Sequence, residues 1–155
     1  MAAKPESIAQ PKADCARALA KVLADTYLLY LKTHNFHWNV EGARFRSLHQ
    51  MFEEQYQALW ASVDDIAERI RALGQYAPGT YAKFKVLAAV KETEELPKCD
   101  DMLRELICDN ETVVDTIKAG LFAAQSAADD ATAGLLTDRL MYHEKQIWMM
   151  KSTLA

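Results

Sequence analysis

A chain of 155 residues, half of them in the hydrophobic class, has apolar material for one compact core and too little length for two. Five glycines and four prolines are too few to punctuate a many-stranded fold, so the composition points to an all-α protein. A formal net charge of -4 argues against a surface built broadly to neutralise nucleic-acid phosphates.

Residues 1–14, with Pro5 and Pro11, read as a short polar tail, and residues 15–155 as a single helical domain. The tail lacks the apolar core of a signal peptide, and no later stretch approaches the roughly 18 apolar residues of a membrane span. A cytoplasmic protein with no membrane partner is therefore expected. Cys15, Cys99 and Cys108 are odd in number and show no CxxC spacing, so reduced, partly buried thiols are expected rather than disulfides or a thiolate zinc site.

Apolar residues at Leu19, Val22 and Leu23, continued by Thr26, Tyr30 and Thr33, mark a long first helix with a 3.6-residue period. Leu28, Leu29 and Leu31 lie outside that stripe, which predicts a helix that also touches something beyond its own bundle. The break comes at Asn39-Val40-Glu41-Gly42, where glycine can take the left-handed conformation. A second helix is predicted from about Arg44 to Leu73, stopped by Gly74 and the Tyr76–Thr80 stretch. Thr80 can cap a short helix carrying Tyr81, Phe84 and Leu87. Pro97 suits the start of a third long helix with Leu103, Leu106, Ile107, Val113, Val114, Ile117 and Leu121 inward, ending near Ser126. Asp129 or Asp130 then opens a fourth, with Leu135, Leu136, Leu140, Ile147 and Trp148 inward. Two helices, a long crossover holding a short helix, then two more make a four-helix bundle of ferritin-like connectivity. That connectivity alone assigns no function.

Function is carried by the second helix. Advancing 100° per residue from His49, the side chains of Glu53, Gln57, Trp60, Asp64 and Glu68 fall in one wedge, and the chain reversal can bring His37 to its beginning. Imidazoles and carboxylates suit iron and similar divalent metals. Taken singly these residues are ordinary helix-surface and helix-end groups; their joint spacing is what points to a metal centre. Glu53 and Asp64 stand about 16 Å apart along the axis, whereas a metal–ligand bond is about 2 Å. One chain cannot close the set, so we expect a second copy whose second helix crosses antiparallel near Ala58 and Leu59. Its Asp64 and Glu68 would then oppose this chain's His37, His49 and Glu53.

The segments His37-Trp38-Asn39-Val40-Glu41-Gly42, Phe45-xx-Leu48-His49-xx-Phe52-Glu53 and Asp64-xxx-Glu68-Arg69 resemble the signature of the Dps family of mini-ferritins, the DNA-binding proteins from starved cells. The similarity covers nearly the whole chain, including Ala131-Thr132-Ala133 and Trp148. It implies a hollow dodecamer built from two-fold dimers that oxidises Fe(II) with hydrogen peroxide or oxygen and stores the ferric product, protecting the cell and its DNA. It further implies two irons per inter-subunit site, with zinc or another divalent ion as alternative occupants. His37, His49 and Glu53 would come from one subunit, Asp64 and Glu68 from its partner. The family often has Asp where Glu53 stands. No E-x-x-H occurs, which disfavours a classical ferritin centre within one bundle.

By the same resemblance Trp38 packs near the centre; for Trp60, also near it, a core or interface place is expected. Asp129 and Asp130 cap the last helix in the bland reading, and line an acidic iron-entry pore by resemblance, where the family frequently has Asp at the Gly134 position. His34 is expected on the surface and His143 as structural. The alternative function is a DNA-binding, nucleoid-compacting protein with little ferroxidase activity. Only Lys4 and Lys12 lie in the first fourteen residues, opposed by Glu6 and Asp14, which weighs against direct DNA contact; repetition over many subunits weighs for it.

Overall fold

The computed structural model describes residues 6–155, with side chains from Gln10 onward. Five helices follow in order: α1 Glu6–Asn39, α2 Phe45–Ala72, α3 Tyr81–Leu87, α4 Cys99–Ser126 and α5 Asp130–Leu154. No strand occurs among the described residues. The four long helices form the expected ferritin-like bundle, and α3 is the short helix of the crossover. The helix α1 begins well ahead of Leu19 and runs through Pro11, so the described part of the 1–14 segment continues the helix; residues 1–5 lie outside the described residues.

Burial explains why these segments pack as they do. On α2 the buried residues Leu48, Phe52, Gln55, Leu59, Ser62, Ile66 and Ile70 alternate spacings of three and four, giving one stripe toward α1. The first helix is covered by α2 on one side and α4 on the other, and α3 also rests on it. That double cover corrects the expected stripe: Leu29 is fully buried, while Leu31 stays exposed. On α5 the buried stripe is Thr132, Leu136, His143 and Met150. Trp148, expected inward, is 64% exposed, because five residues beyond His143 the helix has turned most of the way to its opposite face. Leu135, Leu140 and Ile147 sit half-buried at the margins.

Helix ends follow the sequence closely. Gly74 takes φ +84°, and Gln75 N–H donates back to the Ile70 carbonyl at 3.3 Å to close α2. The Thr80 hydroxyl accepts from Lys83 N–H at 3.3 Å and starts α3. The fourth helix opens two residues after Pro97, with Asp100 and Asp101 in its first turn, where carboxylates complement the helix dipole.

The crossover is held by one carboxylate. Fully buried Asp25 accepts from the N–H groups of Ala89 and Val90 at 2.7 and 2.9 Å through Oδ1, and from the Thr116 hydroxyl at 2.6 Å through Oδ2. A second tie is the ion pair of buried Lys32 with Asp109 at 2.6 Å, joining α1 to α4. Of the cysteines, Cys15 is buried, Cys99 intermediate and Cys108 exposed, all unpaired thiols.

A polar pair lies inside the bundle. The Asn110 amide donates to the Leu106 carbonyl at 2.7 Å, which leaves its oxygen to accept from His143 Nδ1–H at 2.7 Å. Burial, reinforced by the nearby Arg139 charge, pushes His143 down from 6.5 to about 3. Between those values the unfolded chain binds a proton that the folded chain refuses, so stability falls as pH drops through the window. His143→Gln, neutral at every pH, should therefore flatten the acid limb of stability between about pH 6 and pH 4 by up to about 1.4 kcal/mol per pH unit; an unchanged slope would reject the assignment. Asp25→Ala strips the crossover of its acceptor and should cost on the order of 3 kcal/mol in urea unfolding at fixed protein concentration.

Candidate metal centre

The turn between α1 and α2 builds the site. Phe36 and Val40 are buried beneath it, and Gly42 takes φ +107°, a conformation that L side chains rarely adopt. Arg44 fastens the turn to the rest of the bundle, donating to the Thr153 carbonyl at 2.9 Å and pairing with Asp100. His37, 7% exposed, stands in the last turn of α1, and His49 stands just over one turn into α2.

The two imidazoles stack with centroids 3.8 Å apart and planes 20° from parallel. His37 Nδ1 lies 2.8 Å from the His49 carbonyl, and His49 Nδ1 lies 2.7 Å from the His37 carbonyl. Carbonyls only accept, so each Nδ1 carries the proton and each neutral ring keeps its lone pair on Nε2. That is the tautomer a metal requires, fixed by a backbone partner in the way metal-ligating histidines are usually fixed. The donor set thus fits a divalent metal.

The other expected ligands are placed by the register of α2. Glu53, half-buried, follows His49 by one turn, while Asp64 and Glu68 are exposed further along the helix. The structure therefore joins His37 to His49 and does not join either to Asp64 or Glu68. Among the described residues of this chain, no three His, Cys, Asp or Glu groups converge on a metal-sized space.

Aromatic rings surround the histidines. Tyr56 lies edge-on to His37 at 5.1 Å and stacks on His34 at 3.9 Å, and the His34 ring also meets Trp38 at 4.0 Å. Trp38 and Trp60 are 59% and 56% exposed; Trp38 contacts His34, and Trp60 contacts Tyr30 at 5.2 Å. Burial, with His37 adding to it, lowers His34 below the ordinary histidine range. Sequence reading missed Tyr56 and the packing of His34. Tyr56 lies seven residues after His49, two helical turns along the same stripe, so the period that found the carboxylates could have found it.

At the start of α5 the two acids separate. Asp129 caps the helix, accepting from Thr132 N–H at 3.1 Å, from the Thr132 hydroxyl at 2.5 Å and from Arg69 at 2.8 Å. Burial would raise its pKa, but these partners hold it below the usual carboxylate range. Asp130 is exposed.

The chain matches the ferritin-like domain over residues 16–155. It is 39% identical over 132 residues to a low temperature-induced protein of Nostoc sp., covering 84% of this chain and 74% of that one. It is 34% identical over 136 residues to DNA protection during starvation protein 2 of Bacillus anthracis, covering 88% and 93%. Among solved structures, the Dps protein of Vibrio cholerae O1, described as a member of a broad superfamily of ferritin-like diiron-carboxylate proteins, superposes with a TM-score of 0.91. That match is 27% identical and covers 95% of this chain and 92% of the other.

Because Asp129 is occupied and Asp130 is not, their amides should behave differently. Asp129→Asn should cost about 1–2 kcal/mol in thermal unfolding, whereas Asp130→Asn should stay within about 0.5 kcal/mol of the parent. Equal losses would contradict the capping geometry.

Proposed function

This chain belongs to the Dps family of ferritin-like proteins, and on that premise we propose that it oxidises Fe(II) at a centre shared between two subunits and stores the ferric product in a hollow dodecameric shell. The observation that carries this reading is the reciprocal lock of His37 and His49, which leaves both Nε2 lone pairs available to a metal. A stacked pair held only for packing has no need of matching tautomers.

His37, His49 and Glu53 form one half-site; Asp64 and Glu68 of the same chain serve the neighbouring site, and the partner's copies complete this one. The separation of about 16 Å along α2 supports that division, as does the exposure of Asp64 and Glu68. The carboxylates offset the charge of the incoming Fe(II), and the neutral imidazoles add ligands without adding charge. Two Fe(II) ions each give one electron to hydrogen peroxide; its O–O bond breaks, two protons are taken up and two waters form. Held as a pair, the ions deliver both electrons together, so a free hydroxyl radical is not released. Protection of DNA then follows from removing the reactants and needs no contact with DNA. Entry past the α5 start falls to Asp130, since Asp129 is already neutralised by Arg69.

The test is anaerobic loading with Fe(II) followed by peroxide, with ferric absorbance read over time. Parent protein should outpace buffer, and His49→Gln and Asp64→Asn should each slow it roughly 10–100-fold. Mixing the two variants under conditions of subunit exchange should recover part of the rate, because some shared sites then receive both intact halves. Parent protein no faster than buffer removes the ferroxidase reading; failure of mixing, with exchange verified, removes the sharing.

A further inference from the structure

The ring contacts around the histidines continue past the candidate ligands. Along α1, Tyr27, Tyr30, His34 and His37 succeed one another at three- and four-residue spacing, and Tyr56 and Trp60 of α2 fill the facing groove. From His37 the contacts run to Tyr56 at 5.1 Å, from Tyr56 to His34 at 3.9 Å and to Tyr30 at 6.3 Å, and from Tyr30 to Trp60 at 5.2 Å and Tyr27 at 5.8 Å. Phenol and indole rings are the side chains most readily oxidised by one electron, and ring-to-ring contact is the distance over which such a charge moves fastest.

Within this seam one phenol differs from the rest. The Tyr30 hydroxyl lies 3.2 Å from His34 Nδ1. The Tyr142 hydroxyl donates to the Gln55 carbonyl at 3.3 Å, an acceptor with no useful basicity. An oxidised phenol is strongly acidic, so oxidation is easy only where a base can take the proton as the electron leaves. A neutral imidazole at hydrogen-bond distance is such a base.

We propose that Tyr30 and His34 form a proton-coupled redox pair that gives up an electron through Tyr56 toward an oxidant at the His37–His49 end, the phenolic proton passing to His34 Nδ1. The oxidant is of the hydroxyl-radical class, formed when peroxide meets a single ferrous ion. The O–H bond of Tyr30 breaks, leaving a tyrosyl radical; the electron reduces hydroxyl radical to hydroxide; hydroxide takes the proton from His34 and becomes water. One further Fe(II), becoming Fe(III), supplies the electron that restores Tyr30, with a proton from solvent. The pair thereby quenches the species that paired iron oxidation is arranged to avoid. Its coupling to iron rests on the function proposed above, whereas the pair itself does not.

The experiment has two arms. In metal-free assembled protein, a photogenerated ruthenium(III) oxidant is flashed and tyrosyl radical is followed by absorbance and by freeze-quench electron paramagnetic resonance, in light and heavy water. A fast radical phase with a solvent isotope effect is expected. Tyr30→Phe should remove that phase, and His34→Phe, which keeps the stacked ring and removes the base, should slow it by roughly tenfold or more and abolish the isotope effect. A fast phase surviving Tyr30→Phe, or a rate and isotope effect indifferent to His34→Phe, overturns the pair. The second arm replaces ruthenium with Fe(II) and peroxide. A Tyr30 radical there supports the electron path, and its absence while iron is oxidised rapidly overturns the path. If iron oxidation itself fails, the function reading falls and the first arm still judges the pair.

Discussion

Two imidazoles pressed together inside a protein must each find a partner for a ring N–H, and in this chain each finds the backbone carbonyl of the other. That exchange depends on the last turn of α1 lying against the first turns of α2 in a single register. It therefore also fixes where Glu53, Tyr56 and Trp60 stand relative to Tyr30 and His34. The carbonyl of His37 is one of those that a helix leaves without an internal partner at its C-terminal end, so the bond answers a need the backbone already had. Fold and chemistry meet in the same four atoms.

Most of the bundle was legible in the amino-acid sequence because its helices are amphipathic and their ends are written in residues with particular backbone preferences. Gly74, Thr80 and Asp129 each stop or start a helix where their chemistry requires. The errors share a cause. Leu29 and Trp148 were assigned to faces from periodicity alone, yet which side of a helix is buried depends on how many neighbours cover it, and that is a tertiary property. The start of α1 was missed because a helix can continue on propensity where no apolar stripe marks it.

The metal centre divides in the same way. Ligand types and their spacing along α2 were readable, including that one chain cannot close the set. The tautomers of His37 and His49 were not, because they are decided by carbonyls twelve residues away in each direction. Nor could sequence separate Asp129 from Asp130: adjacent carboxylates look alike until Arg69, 60 residues distant, is found bound to one of them. Long-range partners, rather than local pattern, decide which of two equivalent residues keeps its charge available.

Asp25 anchors the chain at Ala89 and Val90, so the long link between α2 and α4 behaves as two loops that close independently. Closure entropy rises by only about 0.6 kcal/mol for each doubling of loop length. The second of these loops contains Glu94, Glu95 and Leu96, all exposed and outside any helix. A passenger peptide grafted there would lengthen that loop alone, leaving the carboxylate tether to insulate the bundle from the added chain. A side chain that serves folding as a clasp thus also marks out a place where the subunit can be re-engineered.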